Sequence, residues 1–245
     1  MTEYYNNILN KIIKYNRKLS KTYTLSDETQ KIQITGFNNY YLSFPKMVSI
    51  CAIILTSDKK YVACSRYNSF LFSEIKISKN TNRKRYLFLN YTKFLKRKEI
   101  EILSDELKIY NINYDYDYNN IIFPGGKPKN GEDVIQCLSR EIKEETNIDS
   151  SDINIDSRFF VHLYIEDLII NKVYNTIIFL GETYLSSDYI YNNFIPNTEI
   201  KSLIFLNKYD NGIYGDIVRF TTSISTIKCF GNMGNRYQSL IQNKY

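Results

Sequence analysis

Residues 126–148 read Gly-Lys-Pro-Lys-Asn-Gly-Glu-Asp-Val-Ile-Gln-Cys-Leu-Ser-Arg-Glu-Ile-Lys-Glu-Glu-Thr-Asn-Ile, and no other stretch says as much about fold and chemistry. The apolar spacing predicts a helix after a Gly-Gly loop, with Glu141, Glu144 and Glu145 in its last turns. At about 100° per residue, these carboxylates share an arc of about 100° that borders the apolar stripe of the helix. Carboxylates on a core-facing stripe are costly unless a cation neutralises them, and hard oxygen ligands suit Mg²⁺ or Mn²⁺. The stretch therefore predicts a metal held against phosphates.

The same stretch resembles the Nudix box, Gly-x5-Glu-x7-Arg-Glu-U-x-Glu-Glu-x-Gly-U, in which U is aliphatic. The matching positions are Gly126, Glu132, Arg140, Glu141, Ile142, Glu144, Glu145 and Ile148. Asn147 replaces the second glycine, and asparagine is the next-best residue for a left-handed helix terminus. The competing interpretation is an ordinary amphipathic helix with surface glutamates. The resemblance implies metal-dependent hydrolysis of a diphosphate linked to another moiety.

Composition narrows the class of protein. The chain has 245 residues, 43% of them hydrophobic, a net charge of +6, four cysteines and a single histidine, His162. The cysteines are widely spaced, which argues against a zinc site or a disulfide framework and fits a reducing compartment. With one histidine, any general base is expected to be a carboxylate. No apolar run reaches the ~20 residues that a membrane span needs.

The order of predicted elements indicates an α/β fold, a Nudix-type α/β/α sandwich with a mixed sheet. One domain is expected over 1–245, with an N-terminal basic amphipathic segment (1–25), a basic helical insertion (70–118) and the Nudix box (126–148). Within the first segment, the helix is predicted over 3–21. Strands are predicted over 30–37, 47–56, 61–66, 121–123, 158–164 and 173–181, a loop over 111–120, and a closing helix over 213–228.

The insertion is the densest basic stretch of the chain, and tyrosine and phenylalanine residues lie between its charges. Basic residues with aromatics suit single-stranded nucleic acid, because the charges follow phosphates and the rings stack on bases. The alternative is a solvated helical subdomain whose aromatics form a core.

The likeness to known proteins extends beyond the box, since nearly the whole chain resembles the poxvirus mRNA-decapping Nudix hydrolases. The segments that carry this likeness outside the box are 11–17, 69–75, 87–91, 156–160, 165–172 and 199–206. The resemblance implies hydrolysis of the 5′ cap of mRNA to 7-methyl-GDP and 5′-monophosphate RNA, which shortens the lifetime of viral and host transcripts. The alternatives are a Nudix hydrolase of free nucleoside diphosphate derivatives and a non-catalytic cap-binding module. Capped mRNA is the expected partner, and no DNA is expected.

In the family interpretation, Glu144 is the first candidate for the base and Glu141 the second, and Arg140 orients the carboxylates. The candidate metal ligands are Glu141, Glu144, Glu145 and, more weakly, Glu132, which otherwise supports the loop or pairs with Arg140. Gly125, Gly126 and Lys127 form the expected phosphate loop, because glycine lets the backbone pass close to a phosphate chain.

Cap recognition is assigned by the resemblance to two rings and one acid. Phe70 and Tyr174 would hold the cationic 7-methylguanine between their faces, and Asp167 would accept hydrogen bonds from the N–H edge of the base. The alternative for each ring is core packing.

The resemblance places the protein in the host cell cytoplasm. Lys11, Lys14, Arg17, Lys18 and Lys21 make the N-terminal helix basic. Such a helix could contact an anionic membrane or serve as an address to an organelle such as the mitochondrion. The alternative is a helix docked on the domain with its charges in solvent.

Overall fold

A mixed sheet forms the centre of the protein in the computed structural model, which describes residues 2–19, 22–113 and 118–231 and the side chains of 7–19, 22–113 and 118–225. Its strands are β1 (Arg17–Lys18), β2 (Tyr23–Ser26), β3 (Gln30–Asn38), β4 (Ser49–Leu55), β5 (Tyr61–Arg66), β6 (Ile121–Ile122), β7 (Gly125–Gly126), β8 (Ile153–Ile155), β9 (Phe159–Asp167), β10 (Lys172–Thr183) and β11 (Ile200–Leu206). The helices are α1 (Thr2–Tyr15), α2 (Phe70–Ile77), α3 (Thr81–Tyr91), α4 (Arg97–Leu107), α5 (Val134–Thr146), α6 (Ser187–Asn193) and α7 (Ile213–Gly231). Short 3-10 helices span Thr92–Phe94 and Ser150–Asp152.

The strand order is β1-β3-β9-β10-β4-β5-β11, with β2 on β3, β6 on β5, β7 on β4 and β8 on β10. The pair β10–β4 is parallel and the other described pairs are antiparallel. Side chains of β4 alternate between the two faces, as a strand requires. Ile50, Ala52 and Ile54 join a core with α1, α5 and α6, whereas Ile53 joins a core with α7. The predicted α/β/α sandwich is therefore confirmed.

The N-terminal helix is shorter than the predicted 3–21. It ends at Tyr15, and Arg17–Lys18 instead pairs with β3. Buried Asn16 stops the helix, because its side-chain oxygen accepts the backbone N–H groups of Tyr40 and Tyr41 at 2.9 and 3.0 Å. The apolar side of the helix packs on the sheet through Ile8 and Ile12. In the described part of the chain, no helix is long and apolar enough to cross a membrane.

The insertion between β5 and β6 is helical, as predicted, and α2, α3 and α4 share a hydrophobic core of their own. Leu87, Phe88 and Leu103 are buried in it, and Ile170 from the turn between β9 and β10 joins them. Part of the aromatic content of the insertion is therefore core. The turn that carries Asp167 is held against α2 by the same packing.

Candidate active site

Helix α5 is defined at both ends by short-range hydrogen bonds. At its start, the Asp133 carboxylate accepts the N–H of Gln136 at 2.8 Å, and the Gln136 side chain accepts the N–H of Asp133 at 3.0 Å. At its end, Asn147 adopts a left-handed conformation with φ 59°, and its N–H donates to the Lys143 carbonyl. The prediction that asparagine preserves this turn is confirmed.

Two of the three glutamates of the helix lie against the Gly-Gly segment. Glu145 is 5% exposed, and its Oε2 accepts the Gly125 N–H at 2.7 Å. Glu141 lies over Gly126, where a Cβ atom would come within 2.3 Å of its Oε1. The segment is not the predicted loop, because it forms strand β7 and pairs with β4. The missing side chain of Gly126 thus makes room for a carboxylate of the protein.

Glu144 faces away from this pair, with its side chain 50% exposed. Glu144 lies about 100° around the helix from Glu145, at the edge of the shared arc that faces solvent. The Lys129 ammonium lies 3.6 Å from Glu144 Oε1, and Lys127 is exposed at the outer end of β7. The expectation of three carboxylates along the core stripe is therefore wrong for Glu144.

Arg140 ties the acidic residues together, as predicted. Its Nε and Nη2 donate to the two oxygens of Glu132 at 2.6 and 2.9 Å, while Nη1 lies 2.8 Å from Glu141 Oε1 and 3.2 Å from Glu144 Oε2. Glu132 also accepts the Lys129 N–H at 2.7 Å. Its hydrogen bond to Arg140 lowers the pKa of Glu132 to about 2. Glu132 therefore holds the loop and Arg140, the role that the sequence favoured over that of a metal ligand.

Burial raises the pKa values of the two acids beside the Gly-Gly segment. It raises the pKa of Glu145 to about 8, an effect that the nearby charges of Glu141 and Glu199 reinforce. Burial also raises the pKa of Glu141, while Arg140 opposes the shift. His162, 1% exposed, hydrogen-bonds Asn175, and burial lowers its pKa to about 4. His162 is therefore neutral inside the sheet near pH 7, and a carboxylate as the general base stays a prediction.

Across the described ranges, no three His, Cys, Asp or Glu side chains already stand in an arrangement that could hold a metal ion. The predicted set of Glu132, Glu141, Glu144 and Glu145 is thus not assembled as a cluster. Glu132 is bound to Arg140, and Glu144 faces outward. Glu141 and Glu145 do fit a divalent cation, because a partly buried and a buried acid with raised pKa values are both stabilised in their ionised form by a shared positive charge.

The predicted cap residues are brought together in part. Phe70, 42% exposed, and Asp167 line one pocket between α2 and the β9–β10 turn, with Asn120 among its other walls. Oδ1 of Asp167 accepts the N–H groups of Ile169 and Ile170, each at 3.0 Å. Tyr174, 38% exposed, does not line this pocket; burial and then the charge of Asp167 raise its pKa.

Two further residues connect that pocket to the carboxylates, and the sequence did not single them out. The Arg66 guanidinium stacks 4.4 Å from the centre of the Phe70 ring and lies 2.7 Å from a Glu199 oxygen. The segment before β11 that carries Glu199 docks on α5, since the Asn197 side chain donates to the Glu144 carbonyl at 2.7 Å. No local spacing could reveal these residues, because they meet only through the pairing of β5 with β11.

Most cations of the insertion are engaged within the protein. Lys76 and Lys84 pair with Glu106 at 2.7 and 2.9 Å, and Arg83 pairs with Glu74 at 3.1 Å. Arg85 donates to the Leu107 carbonyl, Lys93 pairs with Glu28, and Lys96 donates to the Arg66 carbonyl. These contacts stabilise the insertion and compete with the predicted RNA path along it.

Comparisons with known proteins show which sequences this chain is similar to. A viral D10 N-terminal family model matches residues 2–44, and the NUDIX domain model matches residues 110–180. The mRNA-decapping protein OPG122 of vaccinia virus (strain Copenhagen) is 46% identical over 241 residues, 98% of this chain and 97% of that protein. The protein of the same name in monkeypox virus matches to the same extent. The mRNA-decapping protein D10 of fowlpox virus (strain NVSL) is 41% identical over 223 residues, 90% of this chain and 95% of that protein.

Proposed function

The chain belongs to the poxvirus mRNA-decapping proteins of the Nudix class, and from this premise we propose that it hydrolyses the 5′ cap pyrophosphate of RNA. The products are 7-methyl-GDP and RNA with a 5′ monophosphate, and the consequence is faster turnover of viral and host mRNA in the host cell cytoplasm. One observation carries the proposal: the pocket lined by Phe70 adjoins the buried carboxylates. Arg66 stacks on Phe70 and pairs with Glu199, whose charge acts on Glu145.

Nudix hydrolases depend on a divalent metal, and we propose Mg²⁺ or Mn²⁺ here. Glu141 and Glu145 would hold it, because they are the partly buried and the buried acid beside Gly125 and Gly126. When bound, such a cation polarises the pyrophosphate and lowers the pKa of a water molecule.

The chain itself supplies the proton acceptor. Glu144 lies at the solvent side of the buried pair, where Arg140 holds its Oε2 and leaves Oε1 beside Lys129. Glu144 accepts a proton from the attacking water. The water oxygen bonds to phosphorus, and one bridging P–O bond breaks so that 7-methyl-GDP and 5′-monophosphate RNA separate. The exposed Lys127 and Lys129 attract the phosphate chain.

Base recognition uses Phe70, Tyr174 and Asp167. Phe70 offers a partly exposed ring, and Tyr174 lies on the adjoining strand β10 close enough for Asp167 to affect its titration. Both backbone N–H groups that bind Asp167 use Oδ1, so its other oxygen is left for the N–H edge of the base. A cationic 7-methylguanine binds more tightly between two rings than a neutral guanine does, because the ring faces attract positive charge. This difference in affinity selects the methylated cap.

The RNA body beyond the cap is the second part of the substrate. Lys79 and Lys98 of the insertion form no ion pair within the described residues, and both are exposed. They remain candidates for phosphate contacts even though their neighbours are engaged internally. Binding should weaken as salt rises, because phosphate contacts release counterions.

A cap-release assay tests the proposal. Cap-labelled RNA with Mg²⁺ or Mn²⁺ should yield 7-methyl-GDP, and Glu144→Gln should abolish release while RNA binding remains. Glu182→Gln, the same change at an exposed position on β10, serves as the matched control and should leave release unchanged. Hydrolysis of free nucleotides without cap release would instead support the small-molecule alternative. Binding without any hydrolysis would support a cap-binding module.

The cap pocket has its own test. Phe70→Ala should slow the hydrolysis of a methylated cap far more than that of an unmethylated one, since the ring is assigned to the cationic base. Equal slowing of both substrates would contradict that assignment.

A further inference from the structure

Two buried side-chain donors in the described part of the chain have no hydrogen-bond acceptor: Nε of Arg66 and Nδ2 of Asn120. Buried donors are almost always paired, so each such group calls for an explanation. The two residues are neighbours, since the Arg66 N–H donates to the Asn120 carbonyl at 3.1 Å, directly beyond the pairing of β5 with β6. Directly opposed residues of an antiparallel pair carry their side chains on the same face, so both orphan donors face the same side and can share one missing acceptor group.

Both donors lie beside the base pocket. Asn120 is 6% exposed and lines the pocket together with Phe70 and Asp167. The Arg66 side chain is 17% exposed, with its guanidinium over the Phe70 ring. Its Nη2, on the same edge of the guanidinium as Nε, is 2.7 Å from a Glu199 oxygen, on the segment that docks against α5. The orphan donors therefore lie beside the base pocket, on the side where Arg66 connects it with Glu199 and with the charge of Glu145.

We propose that Arg66 and Asn120 form a phosphate subsite that binds the first phosphate of the methylated nucleoside. The inference rests on the proposed function, because that phosphate joins the base in the pocket to the linkage that is cleaved. A guanidinium and a neutral amide together present N–H donors and a positive charge, which match anionic phosphate oxygens. The ammonium of the buried Lys96, which donates to the Arg66 carbonyl, adds positive charge to the same corner.

A neutral carbonyl of the base is a poorer candidate for the acceptor. The guanidinium lies over one face of Phe70, so a base stacked on the opposite face is separated from it by the ring. An anionic oxygen also forms a stronger, charge-assisted hydrogen bond with a guanidinium than a neutral carbonyl does. The ligand class assigned to the subsite is therefore a phosphate monoester or diester attached to the cap nucleoside.

Calorimetric titration with 7-methylguanosine and 7-methyl-GMP, in EDTA, tests this subsite without hydrolysis or metal. The wild-type protein should bind the monophosphate more tightly than the nucleoside. Arg66→Gln should weaken 7-methyl-GMP binding by roughly 10- to 100-fold and change nucleoside binding little, as expected for a lost charged hydrogen bond. Asn120→Ser should reduce the gain from the phosphate by a smaller factor. Arg66→Lys, which keeps the charge but lacks Nε–H, should be intermediate.

Arg219→Gln is the matched control, because Arg219 on α7 pairs with Asp216 and does not line the pocket. Its loss should leave the gain in affinity from the phosphate unchanged. Equal weakening of both ligands by Arg66→Gln would show a packing role and overturn the subsite. A full gain in Arg66→Lys would overturn the assignment to Nε–H. Absence of any gain in the wild type overturns the subsite even if cap release succeeds, whereas failure of cap release alone overturns the proposed function.

Discussion

Replacing Glu145 by glutamine is expected to stabilise the metal-free protein above neutral pH. Burial raises the pKa of Glu145 from 4.5 to about 8, so between these values the folded state keeps a proton that the unfolded chain has released. The stability of the wild type therefore falls as pH rises through this window, by about 1.4 kcal/mol per pH unit and up to about 5 kcal/mol in total. The amide side chain of the variant cannot ionise, and its oxygen can still accept the Gly125 N–H.

Thermal unfolding in EDTA at pH 5 and pH 8.5 measures the effect. The two proteins should melt at similar temperatures at pH 5, whereas at pH 8.5 the variant should melt roughly 10–20 °C higher. His162 acts in the opposite direction, since its pKa of about 4 favours folding as pH rises toward neutrality, but both proteins carry it. Glu182→Gln controls for an exposed change of the same chemistry.

Added Mg²⁺ should then stabilise the wild type at pH 8.5 more than the variant, because the cation binds the ionised carboxylate. A melting temperature for Glu145→Gln that follows the wild type at both pH values would refute the reasoning. That result would mean that the carboxylate ionises as readily in the folded protein as in the unfolded chain.

Three other substitutions probe the site and its support. Gly126→Ala places a methyl group 2.3 Å from a Glu141 oxygen, so cap release should fall by about 100-fold while circular dichroism stays unchanged; full activity would show that this carboxylate tolerates displacement. Arg140→Lys loses the two hydrogen bonds to Glu132, so kcat should fall with little change in KM. An unchanged kcat in this variant would mean that the positive charge alone suffices. Asn16→Ala leaves the backbone N–H groups of Tyr40 and Tyr41, in the loop after β3, without their acceptor and should cost about 1–3 kcal/mol of stability in denaturant titration. An unchanged unfolding midpoint would contradict the role given to Asn16.

Much of the sandwich could be predicted because strand and helix periodicity are local. The β4 alternation and the left-handed end of α5 at Asn147 follow directly from local sequence. The error at the N-terminal helix has the opposite origin. Asn16 ends the helix by binding the backbone of Tyr40 and Tyr41, residues far along the chain that a helical pattern does not register.

Within the candidate site, the sequence alone predicted the helix that carries the glutamates, its Arg140–carboxylate pairing and its left-handed end, since these depend on positions close together along one regular element and the loop before it. The fold had to determine which glutamates are buried, because burial depends on the strand that the helix meets. Only the pairing of β5 with β6 and β11 brings Arg66, Asn120 and Glu199 together. Residues from separate strands leave no shared period in the sequence, so the link between the base pocket and the carboxylates could emerge only once the sheet had formed.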